Sequence, residues 1–284
     1  MAKMLNNLLE SGIFVSRADT AINGRWYFKS DEIEDLSYYF PSVTTILNVI
    51  DKGDGFHRWL GNSLSYDAAM DYGNQAAKIG TIVHALVMEL LFGEKVDTKL
   101  GFIDRESNDE VIKIDDRVNK RLMGFMQFIK DHKPNPLAVE MTLYNPAKDD
   151  DGFIYPWAGQ VDQVLQIDGK NWLVDVKTGK EYKTHALQLT AYRLLWDSMF
   201  PQYKIDEMAC LYLPDGWKKS PTYKLKKYKY EPATWLNALD MWNWVNRDGR
   251  GNEMIPKFRK DYETEFEITK ELFEDKQKQK GDNK

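Results

Sequence analysis

Two carboxylates and one amine set the chemistry that this sequence could support. Ala158-Gly159-Gln160-Val161-Asp162 and Trp172-Leu173-Val174-Asp175-Val176-Lys177 are strand-like runs joined through Asp168-Gly169, a dipeptide suited to a tight hairpin turn. Paired as a hairpin, they place Asp162 and Asp175 on neighbouring strands. Two carboxylates so placed can converge on one hard cation, because Mg²⁺ and Mn²⁺ favour oxygen ligands. Lys177 follows Asp175 by two residues, which puts both side chains on the same face of a strand. An ammonium there can orient or deprotonate a water, or offset charge on a phosphate. The set suits hydrolysis of a phosphodiester.

An Asp-x-Lys or Glu-x-Lys spacing alone carries little information, since it also begins at Asp97, Asp131, Asp168, Glu181 and Glu274. Those copies lie in polar segments or turns. Asp175 instead lies within Leu-Val-Asp-Val, where a buried carboxylate is costly unless paired or metal-bound. An internal salt bridge between Asp175 and Lys177 is the competing explanation. The helix predicted over Tyr182 to Phe200 adds Gln188 and Tyr192, an i, i+4 pair on one face, preceded by Thr178-Gly179-Lys180. Gln188 can hydrogen-bond a phosphate or a group of the site, and Tyr192 can do the same or stack.

The elements that must position these residues follow from hydrophobic period and turn signals. Ser42 stands as the N-cap of a helix over Val43 to Ile50. A helix around Phe56 to Tyr72 has Trp59 and Leu60 on its inner face. A second, over Gln75 to Phe92, repeats Ile79, Ile82, Val83, Leu86, Val87, Leu90 and Leu91 at helical spacing and carries His84. Residues 93–115 read as a loop or insert. A helix over Asp116 to Asp131 stops at Lys133-Pro134-Asn135-Pro136. The period then changes to that of strands: Ala138 to Tyr144, Trp157 to Ile167, Asn171 to Lys177, and after the helix Met208 to Leu213 and Thr222 to Tyr230. Asp149-Asp150-Asp151-Gly152 reads as a turn. Glu231 to Val245 is a helix on which Trp235 and Trp242 share a core face, with Trp244 nearby. This order predicts an α/β fold, a central mixed β-sheet flanked by helices with a helical N-terminal region. It is expected to form one domain over 1–256, helical to about 135 with a sheet core at about 136–230, followed by a charged helix and tail over 257–284.

The formal net charge of −5 argues against coating duplex DNA by charge alone, although a local basic groove or a few lysines with a bound cation could still hold it. Lys224, Lys226, Lys227 and Lys229 interleave with Tyr223, Tyr228 and Tyr230, which fits either single-stranded nucleic acid or a solvated edge strand. Cys210 is the sole cysteine, so no internal disulfide and no Cys-ligated iron–sulfur cluster is expected. That usage, the absence of a membrane-length apolar run and the lack of a signal-like opening lead to the expectation of a soluble, cytoplasmic protein.

Taken in order, Gly80 to His84 on a helix, Glu140 on a strand, Gly159 to Asp162, Asp175 to Lys177, and Gln188 to Tyr192 resemble the RecB-like branch of the PD-(D/E)XK nucleases. Phe40-Pro41-Ser42-Val43-Thr44-Thr45-Ile46-Leu47 also resembles the opening of phage-encoded and mitochondrial exonucleases of that branch. The resemblance implies a restriction-endonuclease-like core. It also implies a divalent metal, Mg²⁺ or Mn²⁺, on His84, Asp162 and Asp175, with the Val176 carbonyl a further ligand. Lys177 would position or activate the water. Gln188 and Tyr192 would support the site or meet the DNA backbone, with Lys180 beside them. Glu140 would stand behind the ligands or bind a second metal, unless it is a solvent-facing strand carboxylate. Only the Gly-x-x-x-His context separates His84 from an ordinary core histidine; His57, His132 and His185 lack it and read as surface residues. Val161 stands where the superfamily name has proline, and the iron–sulfur cysteines of the Cas4 and AddB relatives are absent. The implied activity is an exonuclease working on DNA ends with a single strand in the site, alongside replication or recombination proteins, in a host cytoplasm if phage-encoded. A structure-selective endonuclease, a catalytically idle DNA-binding accessory protein and an unrelated metal hydrolase are the alternatives.

Overall fold

A hairpin forms where Asp168 and Gly169 stand. Strand β7 (Ala158–Ile167) pairs antiparallel with β8 (Lys170–Lys177). Asp168 at φ 49° and Gly169 at φ 75° are both left-handed, the turn geometry that matches the twist of the flanking strands. The computed structural model describes residues 15–20, 24–29, 39–99, 101–104, 110–145 and 156–246. The expected turn at Asp149 to Gly152 and the charged helix and tail from Lys257 lie outside the described residues.

Strand β6 (Asn135–Tyr144) lies antiparallel on the other side of β7. It is reached from helix α4 (Asp116–His132) through Lys133, whose φ of 44° ends the helix. Strand β9 (Glu207–Tyr212) runs parallel to β8, and β10 (Lys224–Lys227) closes the edge antiparallel to β9. A parallel neighbour needs a crossover, and helix α5 (Thr184–Met199) supplies it. The sheet order is β10-β9-β8-β7-β6, the mixed sheet that the sequence predicts.

Side-chain alternation gives this sheet two apolar faces. Leu173, Met208 and Val164 pack with Leu189, Leu195 and Trp196 of α5, with Trp235 and Trp242 of helix α6 (Pro232–Asn246), and with Val43 and Ile46 of helix α1 (Val43–Leu47). Val174, Val176, Ala209 and Leu211 pack on the opposite face against Phe125 and Phe128 of α4. Ile82, Val83, Leu86 and Val87 of helix α3 (Tyr66–Leu91) join them there. Helices thus cover both faces of this mixed sheet. Trp244 is exposed, whereas Trp235 and Trp242 are buried as expected. No helix among the described residues is long and apolar enough to cross a membrane.

The N-terminal region departs from the sequence expectation in detail. Helix α2 (Asp54–Gly61) and α3 break at Asn62 to Ser65, not after Tyr72, because the Ser65 side chain accepts the Ala68 N–H at 3.0 Å and caps α3. Trp59 and Leu60, expected inside, are half-buried, and no residue of α2 is buried. Three strands not expected from the sequence, β1 (Val15–Thr20), β2 (Gly24–Lys29) and β3 (Tyr39–Pro41), form an antiparallel sheet. A bridge from Ser42 to Ala158 ties its end to β7. Within residues 93–115, β4 (Phe102–Asp104) pairs with β5 (Glu110–Ile112). Three-residue strands are too short to show a period.

Tyr192 of helix α5 rests directly on β7 at Gly159. A Cβ on Gly159 would stand 2.4 Å from Cε1 of Tyr192 and 3.2 Å from Cγ2 of Val43. A ring atom cannot swing aside as a flexible chain end can, so α5 or β7 would have to shift. Gly159→Ala is expected to cost about 1–3 kcal/mol, as overpacking in a dense core does. Urea denaturation measures it, and an unchanged midpoint would show that the ring does not rest on the strand.

Candidate active site

The sheet register lines up the chemistry. Val139 pairs with Gln163 and Met141 with Val161, so Glu140 of β6 stands opposite Asp162 of β7. The β7–β8 ladder runs from Ile167↔Lys170 to Gln163↔Val174, so the next pair along is Asp162 and Asp175. Asp175 in turn pairs with Cys210 of β9. Glu140, Asp162, Asp175 and Cys210 therefore form one row across four strands.

The ladder stops in that row. Beyond Gln163↔Val174, the Val176 N–H donates to Asp162 Oδ2 at 2.7 Å. A side-chain carboxylate replaces the missing ladder acceptor, and the buried donor stays satisfied. On the other side of Asp162, Glu140 takes φ 50°, a left-handed conformation unusual for a residue with a side chain.

Helix α3 brings His84 over this gap. Its Nδ1 lies 3.4 Å from Asp162 Oδ2 and 3.8 Å from Glu140 Oε1. One ligand atom from each of His84, Glu140 and Asp162 lies within 4.8 Å of the others, and all three residues are half-buried. One imidazole and two carboxylates make a donor set for a divalent cation.

Asp175, 2 % exposed, is held differently. Its Oδ2 is 2.5 Å from Lys177 Nζ, so the salt bridge named above as the competing explanation does form. It forms beside the three-residue cluster, with Asp175 as the next residue in the row. Gln188 Nε2 donates to Asp175 Oδ1 at 3.2 Å and to the Tyr192 hydroxyl at 3.2 Å, while its Oε1 accepts from Lys177 at 3.1 Å. Cys210 Sγ lies 3.9 Å from Asp175 Oδ2. Of the two roles that the resemblance leaves Tyr192, supporting the site fits its 5 % exposure and contact with the DNA backbone does not. Val176 is buried with its N–H turned to Asp162, and Lys180 is exposed on the loop before α5.

Charge is unbalanced here. Burial raises the Asp162 carboxyl above its ordinary range, and His84 and Lys177 offset this only in part. Asp175 is raised for the same reason, with Lys177 the main opposing influence. Burial would lower Lys177, yet Asp175 and Asp162 outweigh it and hold the ammonium above its ordinary value. Burial would likewise lower His84, but Asp162, Glu140 and Asp175 bring it up to about 9. Three carboxylates facing one ammonium and one imidazole leave room for a further positive charge, which a divalent cation would supply.

Two surface expectations need correction. His185 is buried on α5, and its Nδ1 shares a hydrogen bond with the Tyr212 hydroxyl at 2.8 Å. Burial, with Lys177 adding to it, holds His185 down to about 4. Its place three residues before Gln188, on the inner face of α5, was the available signal. His132 is half-buried against the Tyr223 hydroxyl at 2.9 Å, whereas His57 is exposed as expected. On β10, Lys224 and Lys226 pair with Glu181, and Lys227 pairs with Glu207, which favours the solvated edge strand over a free basic track.

The chain matches the PD-(D/E)XK nuclease superfamily over residues 51–276. No curated protein matches it. Among 17 matching chains of solved structures is that of SSO0001, at 16% identity and a TM-score of 0.29, with 46% of this chain and 59% of that chain covered. The chain thus spans about 59% of that structure's length.

His84 gives a pH signature to this cluster. Its folded value of about 9 stands above its ordinary 6.5. The stability it contributes is therefore whole below about 6.5 and is lost as pH rises through about 9. In metal-free protein, NMR of the imidazole is expected to show titration near 9, and Glu140→Gln is expected to bring it down. A wild-type titration at 6.5 would show that the carboxylates do not converge on this ring.

Proposed function

This chain belongs to the PD-(D/E)XK nuclease superfamily, and from that premise we propose that it is a divalent-metal-dependent deoxyribonuclease of the RecB-like branch, an exonuclease that hydrolyses phosphodiester bonds at DNA ends. The observation that carries this reading is the meeting of His84, Glu140 and Asp162 within 4.8 Å, beside the Lys177–Asp175 pair. These groups come from α3, β6, β7 and β8, and a purely structural ion pair would not need all of them.

His84, Glu140 and Asp162 would hold Mg²⁺ or Mn²⁺, with Asp175 and the Val176 carbonyl as the remaining ligands. When bound, such an ion polarises a phosphate oxygen and lowers the pKa of a coordinated water. Lys177, held as an ammonium by Asp175 and Asp162, acts as a donor. It orients the attacking water or offsets charge on the phosphate. Water attacks phosphorus directly, without a covalent enzyme intermediate. Gln188 fixes both Lys177 and Asp175 through one amide, and Tyr192 fixes Gln188. Lys180, exposed on the adjoining loop, would meet a backbone phosphate of a single-stranded segment. The exonuclease assignment rests on the likeness of the Phe40 to Leu47 segment and the ordered motifs to phage-encoded and mitochondrial enzymes. Cys210 is a free thiol, which fits a reducing cytoplasm, where replication or recombination proteins would be its neighbours.

End-labelled linear single- and double-stranded DNA and closed circles, incubated with Mg²⁺, Mn²⁺ or a chelator, test this reading. Metal-dependent release of terminal nucleotides from linear DNA alone is the expected result. Cutting of circles would identify an endonuclease, and binding without cutting an idle accessory protein. Lys177→Ala is expected to lower cleavage by about 10²–10³-fold, the usual loss when one charge-stabilising donor is removed. Its circular dichroism and DNA binding should be retained. Unchanged cleavage by that variant would remove Lys177 from the reaction.

A further inference from the structure

We propose that Gln160 is a positioning residue for the metal site: its side-chain amide holds the turned backbone of Glu140, and so aims that carboxylate toward His84 and Asp162. The proposal rests on the metal-dependent reading above.

Three residues with side chains have positive φ among the described residues: Lys133, Glu140 and Asp168. Lys133 ends α4 and Asp168 makes the β7–β8 turn, so local chain reversal accounts for both. Glu140 has no such reason. It lies inside β6, with paired residues on either side, and apart from the irregularity at Leu137 the ladder loses only its own pairing with Asp162. Left-handed backbone in mid-strand persists where the surroundings impose it, and such residues gather at functional sites. The effect of this turn is twofold. It takes the Glu140 carbonyl out of the ladder, and it re-aims the side chain, whose Oε1 lies 3.8 Å from His84 Nδ1.

A carbonyl taken from the ladder needs another donor. Gln160 provides it: Nε2 donates to the Glu140 oxygen at 3.2 Å. Gln160 pairs across the ladder with Thr142 and so lies diagonal to Glu140. It also stands two residues before Asp162, on the same side of β7. One strand thus carries both a proposed ligand and the group that orients the ligand opposite to it. Without the amide, the Glu140 carbonyl has an incentive to return to ordinary extended geometry, which would swing the carboxylate away from His84.

The test is calorimetric titration of the full chain with Mn²⁺, with no cleavage step. Gln160→Met keeps length and neutrality but cannot donate. It is expected to weaken Mn²⁺ binding about tenfold, within the range typical for groups that orient a metal ligand. The same change in a Glu140→Gln background is expected to alter affinity by less than about twofold, because a residue acting through the Glu140 carboxylate has nothing left to orient. A merely structural role would shift both backgrounds alike. Wild-type affinity in Gln160→Met, or equal losses in both backgrounds, overturns the proposal while the metal site stands. Failure of the wild-type protein to bind Mn²⁺ instead overturns the metal-dependent reading, and this proposal with it. If Gln160→Met does not fold, Gln160→Thr replaces it, being suited to a strand and too short to reach the carbonyl.

Discussion

The hydrogen bond from Val176 N–H to Asp162 Oδ2 is the constraint on which the site depends. A sheet whose ladder simply ended at Gln163↔Val174 would leave a buried amide without an acceptor, at a cost of about 1–3 kcal/mol. A carboxylate is a stronger acceptor than a carbonyl, so Asp162 satisfies the strand it has parted from. The same side chain also lies beside His84 and Glu140. Fold and chemistry thus share one residue. β7 can leave β8 because Asp162 is there, and its carboxylate can turn toward His84 and Glu140 because the strands have separated.

Charge explains why the remaining groups sit where they do. Asp175 is buried and Lys177 half-buried on one strand face, and such an ion pair gains little over apolar packing once its ions are desolvated. Such a pair persists where its charges are used or where added hydrogen bonds hold it. Here Gln188 meets both partners, and Asp175 stands next in the row to a cluster that already holds two further carboxylates. His84 and Lys177, held above their ordinary values by the carboxylates despite their burial, show how strongly the negative groups dominate this centre.

Much of this was legible in the sequence because it rests on period and turn chemistry. Asp168-Gly169 fixed the hairpin, and the two-residue strand period put Asp175 and Lys177 on one face. What was hidden depends on tertiary context. The sequence left Glu140 poised between a solvent-facing carboxylate and a site residue; the φ of 50° that accompanies its place 3.8 Å from His84 is announced by no residue type at that position. His185 read as a surface residue because its partner Tyr212, whose hydroxyl also meets that of Tyr228, comes from β9, far along the chain. Strands β1 to β3 were missed because their pairing is with one another and contacts that anchor them, such as Trp26 against Trp242 and the bridge from Ser42 to Ala158, reach residues far along the chain.

Topology also decides which helix can support the site. β8 and β9 are parallel neighbours, so the chain leaving Lys177 must cross one sheet face before it returns. The crossover helix α5 begins at Thr184, within a few residues of the amine it has to hold. Its first turns therefore lie beside Asp175 and Lys177 whatever the rest of the chain does, and a glutamine at position 188 reaches both. One turn further along, Tyr192 comes down on β7, and only Gly159 leaves space for its ring. Gly159 lies three residues before Asp162. The distance between α5 and the carboxylates is thus set by a contact between a ring and a bare backbone, which allows little play. A site that must hold groups from three strands and two helices to within fractions of an ångström gains that rigidity from dense packing, not from the hydrogen bonds alone.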